Sequence, residues 1–340
     1  MSDRKSKGSV RRTSSLADTN ILLVLAFLLS IGCGGNSLGT PTTSNDSSSH
    51  PKRNTAPPEE SPEVTVPLVL DDSGSIAIDA TINRTESVRL MLHTGVSSAS
   101  LTNAAAEKLP GMTWNSQEKI SSWGGDAEAR VSVKNQLQIG DILLGDVTFT
   151  EVERAASGTD GKVGASQLGT RFIEFDFDQT TIRLFNELPD RMHDYQSLPI
   201  TVRDGLLFVT ATLKIGDKQL KHPFMIHTGF GGTILLDDEF VDGNRLNQLL
   251  PRLGGRELQD SLGNKILTTQ SEIEQFKIGS IELSNVAVEL FDVSLGRQKI
   301  SVVGVDVLRR FNFVIDFDQQ RLLIPQVEDN VQVAPDRDAE

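Results

Sequence analysis

His93 and His227 each end an apolar run and begin the same tripeptide, in Met91-Leu92-His93-Thr94-Gly95 and Met225-Ile226-His227-Thr228-Gly229. An apolar strand that breaks at Thr-Gly sets one polar side chain at a turn, which is a way to place a reactive group. Two imidazoles brought together are expected to be neutral near pH 7. A reference His titrates near ~6.5, and both burial and a like neighbour lower that value. A neutral pair accepts a proton from water but offers no strong acid to polarise an amide. Imidazole also suits zinc and copper, yet a catalytic zinc usually has three protein ligands, and only two symmetric candidates are present. His222 lies five residues before His227 across Pro223 and is expected to point elsewhere; His193 lies between the two halves. The alternative is two buried histidines satisfied by hydrogen bonds to each other or to water. There is no Ser-His-Asp pattern, no phosphate-binding glycine loop and no Cys pair, and no metal or cofactor is expected.

The elements that would position these histidines are themselves duplicated. Trp123-Gly124-Gly125 is answered by Leu262-Gly263-Asn264, and Ile139-Gly140 by Ile278-Gly279. Val163-Gly164 is answered by Val303-Gly304, and Phe175-Asp176-Phe177-Asp178-Gln179 by Ile315-Asp316-Phe317-Asp318-Gln319. The offset is 134 residues at His-Thr-Gly and 139 or 140 at every later landmark, which places a small insertion within residues 237–259. So long a period means duplicated lobes, not a solenoid.

The chain has 340 residues, 38% hydrophobic and 23% charged, which suffices for two lobes with their own cores. Net charge is -13, and an acidic surface argues against nucleic acid and against general adhesion to anionic lipid. Arg4, Lys5, Lys7, Arg11 and Arg12 precede an apolar stretch over residues 21–31 that is too short to span a bilayer and fits a signal h-region. It ends at Gly32-Cys33, the chain's single cysteine, and resembles a bacterial lipoprotein signal in which that cysteine is lipidated. The expectation is an exported protein of the cell envelope, reaching the membrane through a lipid anchor alone. Residues 34–63 are rich in Ser, Thr, Pro and Asn and read as a flexible tether. The lobes are expected over residues 64–192 and 193–327, followed by an acidic tail over 328–340.

Within the first lobe, strands are expected at residues 64–70, 75–83 and 88–92, with a helix over 103–109. A hairpin over 120–133 tipped at Gly124-Gly125, two strands within 137–149 and a strand pair in 173–184 complete it. The second lobe opens with a hairpin over 198–213, carries a helix over 239–250, and has a second flap-like hairpin at Gly263. Many short strands separated by turn residues indicate an all-β fold.

In this arrangement the chain resembles the two-lobed bacterial aspartic proteases with retropepsin-like domains. That family pattern is an apolar strand, Asp-Thr/Ser-Gly, a flap hairpin tipped by Gly, an apolar-apolar-Gly turn and a strand pair. The last part is clear in Val302-Val303-Gly304-Val305-Asp306-Val307-Leu308 followed by Phe313-Val314-Ile315-Asp316-Phe317. The resemblance implies two pseudo-symmetric β-barrel lobes around a central cleft that takes an extended peptide or protein segment. It implies that Thr94 and Thr228 bond across the lobe interface and that Gly95 and Gly229 keep the tight turns. It places Trp123, Gly124, Gly125, Gly263 and Phe230 at the flaps and cleft, Phe230 narrowing the space beside the site.

The resemblance also implies a catalytic Asp at each position held here by His93 and His227. Family chemistry needs two carboxylates sharing one proton, and two imidazoles do not reproduce it. Asp72-Ser73-Gly74 is a literal Asp-Ser-Gly, but its counterpart is Arg203-Asp204-Gly205, and both are expected to be surface turns. Asp306, Asp176 and Asp316 are read as structural. The function expected is a peptide-binding pseudoprotease; the alternatives are an active endopeptidase with an atypical dyad and a structural envelope lipoprotein.

Overall fold

The computed structural model describes residues 63–84, 86–122, 125–291 and 299–326. Strand accounts for 55% and helix for 10%, so the fold is all-β as expected. In the first lobe six strands close on themselves. Ile76–Ile82 pairs with Glu86–His93, which pairs in parallel with Gly161–Gly164. Next come Ala99–Thr102, Ile142–Val152 and Gly125–Ile139, and the last returns to Ile76–Ile82 through Thr81↔Gln138. The second lobe repeats the circuit with Leu206–Ile215, Lys218–Ile226, Val302–Val303, Ile234–Leu235, Ile281–Phe291 and Lys265–Ile278. The two barrels thus share one strand order, which is the structural form of the sequence duplication.

Local residue chemistry explains the circuit. Ile281–Phe291 alternates, with Ile281 and Leu283 inward and Glu282 and Ser284 outward, the period of a strand with one buried face. Ile76–Ile82 and Glu86–His93 each bury five residues, including consecutive ones, because the barrel core lies under one face and the other lobe covers part of the second. Gly164 and Gly304 end the parallel strands where another chain segment crosses. A Cβ at Gly164 would lie 2.4 Å from the Val96 carbonyl oxygen, and one at Gly304 would lie 2.1 Å from that of Gly232. Only glycine fits there, which accounts for both repeats of the Val-Gly landmark.

Between the barrels runs an antiparallel sheet in the order Val64–Pro67, Thr181–Phe185, Phe172–Asp176, Phe313–Asp316, Arg321–Ile324, Gln196–Arg203. The two lobes meet at Phe172↔Asp316 and Phe175↔Phe313, with the Phe175 and Phe313 rings stacked 4.7 Å apart. Asp176 and Asp316 are buried at the strand ends. Asp176 accepts from Gln179 N, from Arg183 and, across the lobes, from Asn312. Asp316 accepts from Gln319 N, from Arg321 and, across the lobes, from Arg171. Hydrogen bonds and guanidinium groups hold its carboxyl below the usual range even though burial alone would raise it. A single apolar cluster runs through both barrels and this sheet.

Several expected elements differ in extent. Residues 64–70 form two strands, because Val64–Pro67 joins the sheet between the lobes while Val69–Leu70 turns into the first barrel. The helix expected over 103–109 is one turn, Asn103–Ala106, capped by the Thr102 hydroxyl. The helix expected over 239–250 is two, Asp238–Asn244 and Leu246–Leu249, broken at Arg245, whose φ of 57° is left-handed. The first flap is longer than expected, pairing Ser116–Ser122 with the start of Gly125–Ile139. The signal segment with Cys33, the tether, Trp123 and Gly124 at the flap tip, and the acidic tail lie outside the described residues.

Candidate functional site

The two histidine-bearing strands arrive from opposite lobes and are locked together just past the histidines. The Thr94 N–H donates to the Thr228 hydroxyl at 3.0 Å, and the Thr228 N–H donates to the Thr94 hydroxyl at 3.1 Å. Each hydroxyl then donates onward, Thr94 to the Ile226 carbonyl at 2.6 Å and Thr228 to the Leu92 carbonyl at 2.5 Å. Both threonines are buried, and all four groups are satisfied only because the partner lobe is present.

This lattice brings the imidazoles into contact, with centroids 4.5 Å apart and planes tilted by 52°. Gly95 and Gly229 make room for the rings. A Cβ at Gly229 would lie 2.5 Å from His93 Cδ2, and one at Gly95 would lie 2.9 Å from His93 Cε1. The Gly95 N–H donates to His93 Nδ1 at 2.9 Å, so in the neutral ring the proton sits on Nε2. His227 Nδ1 is buried with no hydrogen-bond partner among the described residues.

Residues 78–172 match the family described as aspartyl protease. No curated protein matches the chain. The match falls within the first lobe, whose barrel has the form of a retropepsin-like aspartyl protease domain. The second lobe repeats its barrel, so the two together form the two-lobed arrangement of that fold.

Each of the two Thr-Gly loops thus carries an imidazole, one from either lobe. Burial pushes the His93 pKa well below its ordinary value, with His227 and then Lys162 adding to the shift. Burial and then Lys162 lower His227 to about 4. Both rings are therefore neutral over the ordinary working range. The charges that bear on them are cationic, the reverse of a carboxylate pair sharing a proton. Among the described residues no three His, Cys, Asp or Glu come together as a metal site.

The surroundings of the pair are unequal. Phe230 stands beside His227 with ring centroids 6.3 Å apart. It packs on the apolar cluster of Leu206, Phe208, Met225, Leu235 and Val302, and the Arg256 guanidinium lies 5.9 Å from its ring. Arg256 in turn pairs at 2.9 Å with buried Glu289, which also accepts from Thr268. On the first-lobe side Lys162 is half-buried, and burial lowers its ammonium to about pKa 8 against the opposing pull of Asp260. The flap of the second lobe, formed by Gly254–Gln259 and the start of Lys265–Ile278, reaches across to the first. The Arg154 N–H donates to the Ser261 carbonyl at 3.2 Å, and Gly263, at φ 81°, rests against the Glu153 carboxylate.

The remaining sequence candidates fall elsewhere. Asp72 is exposed, with its carboxylate 3.2 Å from the Ser157 hydroxyl. Its turn is not a free surface turn, however. Ser75 donates to the Gly229 carbonyl at 3.3 Å, Ile76 N donates to the Thr228 carbonyl at 3.0 Å, and a Cβ at Gly231 would lie 1.7 Å from Ser73 O. The turn thus props the second histidine loop without presenting a carboxylate to it. Asp204 is exposed. Asp306 pairs with Arg309 at 3.2 Å in the short helix Val305–Leu308, and exposed His193 sits in the connection between lobes. His222 Nε2 lies 2.8 Å from Asp237 Oδ2, and the Ser301 hydroxyl donates to the same oxygen at 2.7 Å. That Ser-Asp-His set escapes sequence reading because its members are far apart in the chain. It is not a hydrolytic triad, since the serine proton goes to the carboxylate and not to the imidazole. Lys162 and Asp260 were also not singled out by motif. The signal available was the broken repeat, since the counterpart of Lys162 at the 140-residue offset is apolar Val302.

Proposed function

We propose that this chain is an exported, envelope-tethered pseudoprotease whose cleft binds an extended peptide without cleaving it. The observation that carries the reading is the neutral imidazole pair held at both dyad positions by an intact threonine lattice. The scaffold that aligns the dyad is kept, while the shared proton and the ionised carboxylate of the aspartic mechanism are absent from those positions. The flap strands Ser116–Ser122 and Gly254–Gln259 each end their sheet, and such edges offer backbone groups to an added peptide strand. Export and anchoring through Cys33 are supported by the basic segment and the apolar stretch that ends at Gly32-Cys33.

Peptide cleavage across acid to neutral pH tests the reading, comparing the natural protein with His93→Asp/His227→Asp and His93→Ala/His227→Ala. Silence of the natural protein with acid-pH cutting by the double Asp protein supports it. Cutting by the natural protein but not the double Ala protein overturns it. One observation favours that second outcome. His227 Nδ1 has no hydrogen-bond partner among the described residues, and the Lys162 ammonium, whose charge bears on His227, is able to polarise a carbonyl.

A further inference from the structure

Away from the histidine pair, the second lobe holds an imidazole that the duplication does not account for. His222 lies three residues before Met225, and the same place before Met91 holds buried Val88. Ser301 stands one before Val302 on its strand, where the first lobe has Gly161. Asp237 caps the helix Asp238–Asn244, a role that Thr102 plays in the first lobe. One barrel forms without His222, Asp237 and Ser301, so the barrel alone does not require them.

Together the three hold one ring in one orientation. Burial would raise the Asp237 carboxyl, but hydrogen bonds from His222, Ser301 and the Phe240 N–H hold it below the ordinary carboxylate range. An ionised carboxylate has no proton to give, so His222 Nε2 is the donor at 2.8 Å. Ser301 gives its proton to the same oxygen at 2.7 Å and accepts from Asp237 N at 3.0 Å, so both of its groups are committed. The His222 ring also packs on Phe240 with centroids 4.0 Å apart and meets the Phe224 ring edge-on at 5.3 Å. The imidazole is the open member of the pair, its side chain 19% exposed against 6% for Asp237. With Nε2 fastened, the neutral ring offers Nδ1 as an acceptor, and Nδ1 makes no hydrogen bond among the described residues.

His222 lines a cavity of about 560 Å³, a volume within the range of sites that take drug-sized molecules. Leu206, Phe208 and Ile300 line it as well, and they belong to the apolar cluster on which Phe230 packs. The charged groups around it are balanced, Arg203 and Lys299 against Asp204 and Glu239. The Arg203 guanidinium is already engaged 5.2 Å from the centre of the Phe208 ring. Balanced charges select for no net charge on a ligand. What selects is the apolar lining together with one oriented acceptor. A flat apolar group that brings its own N–H or O–H matches both, since such a donor needs a partner once it leaves water.

We propose that this cavity binds an aromatic ring bearing a hydrogen-bond donor, an indole or a phenol, with His222 Nδ1 as the acceptor. The ring belongs either to a free small molecule or to a tryptophan or tyrosine side chain of a peptide. The site stands apart from the peptide-binding reading of the cleft, because neither His93 nor His227 lines the cavity.

The test is a set of ligand-observed NMR titrations on the full-length protein at mildly alkaline pH, where imidazole is neutral. The probes are N-acetyltryptophanamide beside its indole N-methyl twin, and N-acetyltyrosinamide beside N-acetylphenylalaninamide. Each donor-bearing probe is expected to bind about fivefold more tightly than its twin, the scale of one net hydrogen bond. His222→Phe keeps a ring against Phe240 but accepts nothing, and is expected to erase the difference within each pair. That change leaves Asp237 short of a donor, so Ile300→Trp, which fills the cavity instead, serves as a second variant and is expected to abolish binding of all four probes. A glycine-flanked tryptophan peptide that binds about tenfold more tightly than the amide would support the proposal with a peptide as the source, and equal affinity would support it with a small molecule as the source. Equal binding within both pairs by the natural protein overturns the proposal. So does binding that Ile300→Trp leaves unchanged, and so does failure of every probe to bind the natural protein.

Discussion

Thr94 and Thr228 exchange hydrogen bonds across the lobe interface, each backbone N–H reaching the other's hydroxyl at 3.0 and 3.1 Å. Replacing one hydroxyl orphans a buried N–H and a buried carbonyl together. Thr228→Val is therefore expected to cost about 2–4 kcal/mol, and Thr228→Ser, which keeps the hydroxyl, about 1 kcal/mol. Thr94→Val/Thr228→Val should cost less than the sum of the single changes, since both act on one lattice. Urea unfolding of the four proteins measures this; strict additivity would show that the two threonines do not act as a unit.

The histidine pair makes stability depend on pH in a definite direction. Both folded-state pKa values lie below the ordinary value, His227 at about 4. Between the two states' values the unfolded chain binds more protons, so stability falls as pH falls. The contribution is complete above about 6.5 and is lost progressively towards about pH 4. At about 1.4 kcal/mol per unit, His227 alone accounts for about 3 kcal/mol by the acid end of that window. Urea midpoints across the window should fall steeply for the natural protein and more gently for His93→Asn/His227→Asn. Parallel curves would mean that the imidazoles do not resist protonation.

Much of this fold was legible in the chain, and the reasons are local. The Val-Gly landmarks are readable because no other residue fits at Gly164 and Gly304. The paired hairpins are readable because their strands alternate. The helices were overestimated: Asn103–Ala106 and the pair broken at Arg245 have helical composition, but their length is set by tertiary surroundings. At the site, the histidines and threonines were visible as repeats. Lys162, Asp260 and the wedge of Ser73 on Gly231 were not, because each depends on how one lobe meets the other.

Close backbone approach also predicts which glycines cannot change. Gly304→Ala would drive a methyl to 2.1 Å from the Gly232 carbonyl oxygen, a backbone atom with no room to retreat. The expected outcome is loss of more than about 4 kcal/mol, enough to remove most of a domain's stability. Gly145→Ala meets nothing within 4 Å and should be nearly silent. Soluble yield and Tm of the two variants give the comparison. A well-folded Gly304→Ala protein would mean that the crossing of Phe230–Gly232 over Gly304 is looser than described.

Lys162 should also shape any activity restored by carboxylates. In His93→Asp/His227→Asp an ammonium beside the new dyad favours its ionised forms, so the state with one shared proton is reached at lower pH than without it. Adding Lys162→Met removes that bias and is expected to move the pH optimum for peptide cleavage upward by about one unit. The comparison reads the field of Lys162 at the dyad directly, whatever peptide is used. An optimum that stays in place would mean that water screens the ammonium from the dyad, and Lys162 would then have no claim to act on groups bound there.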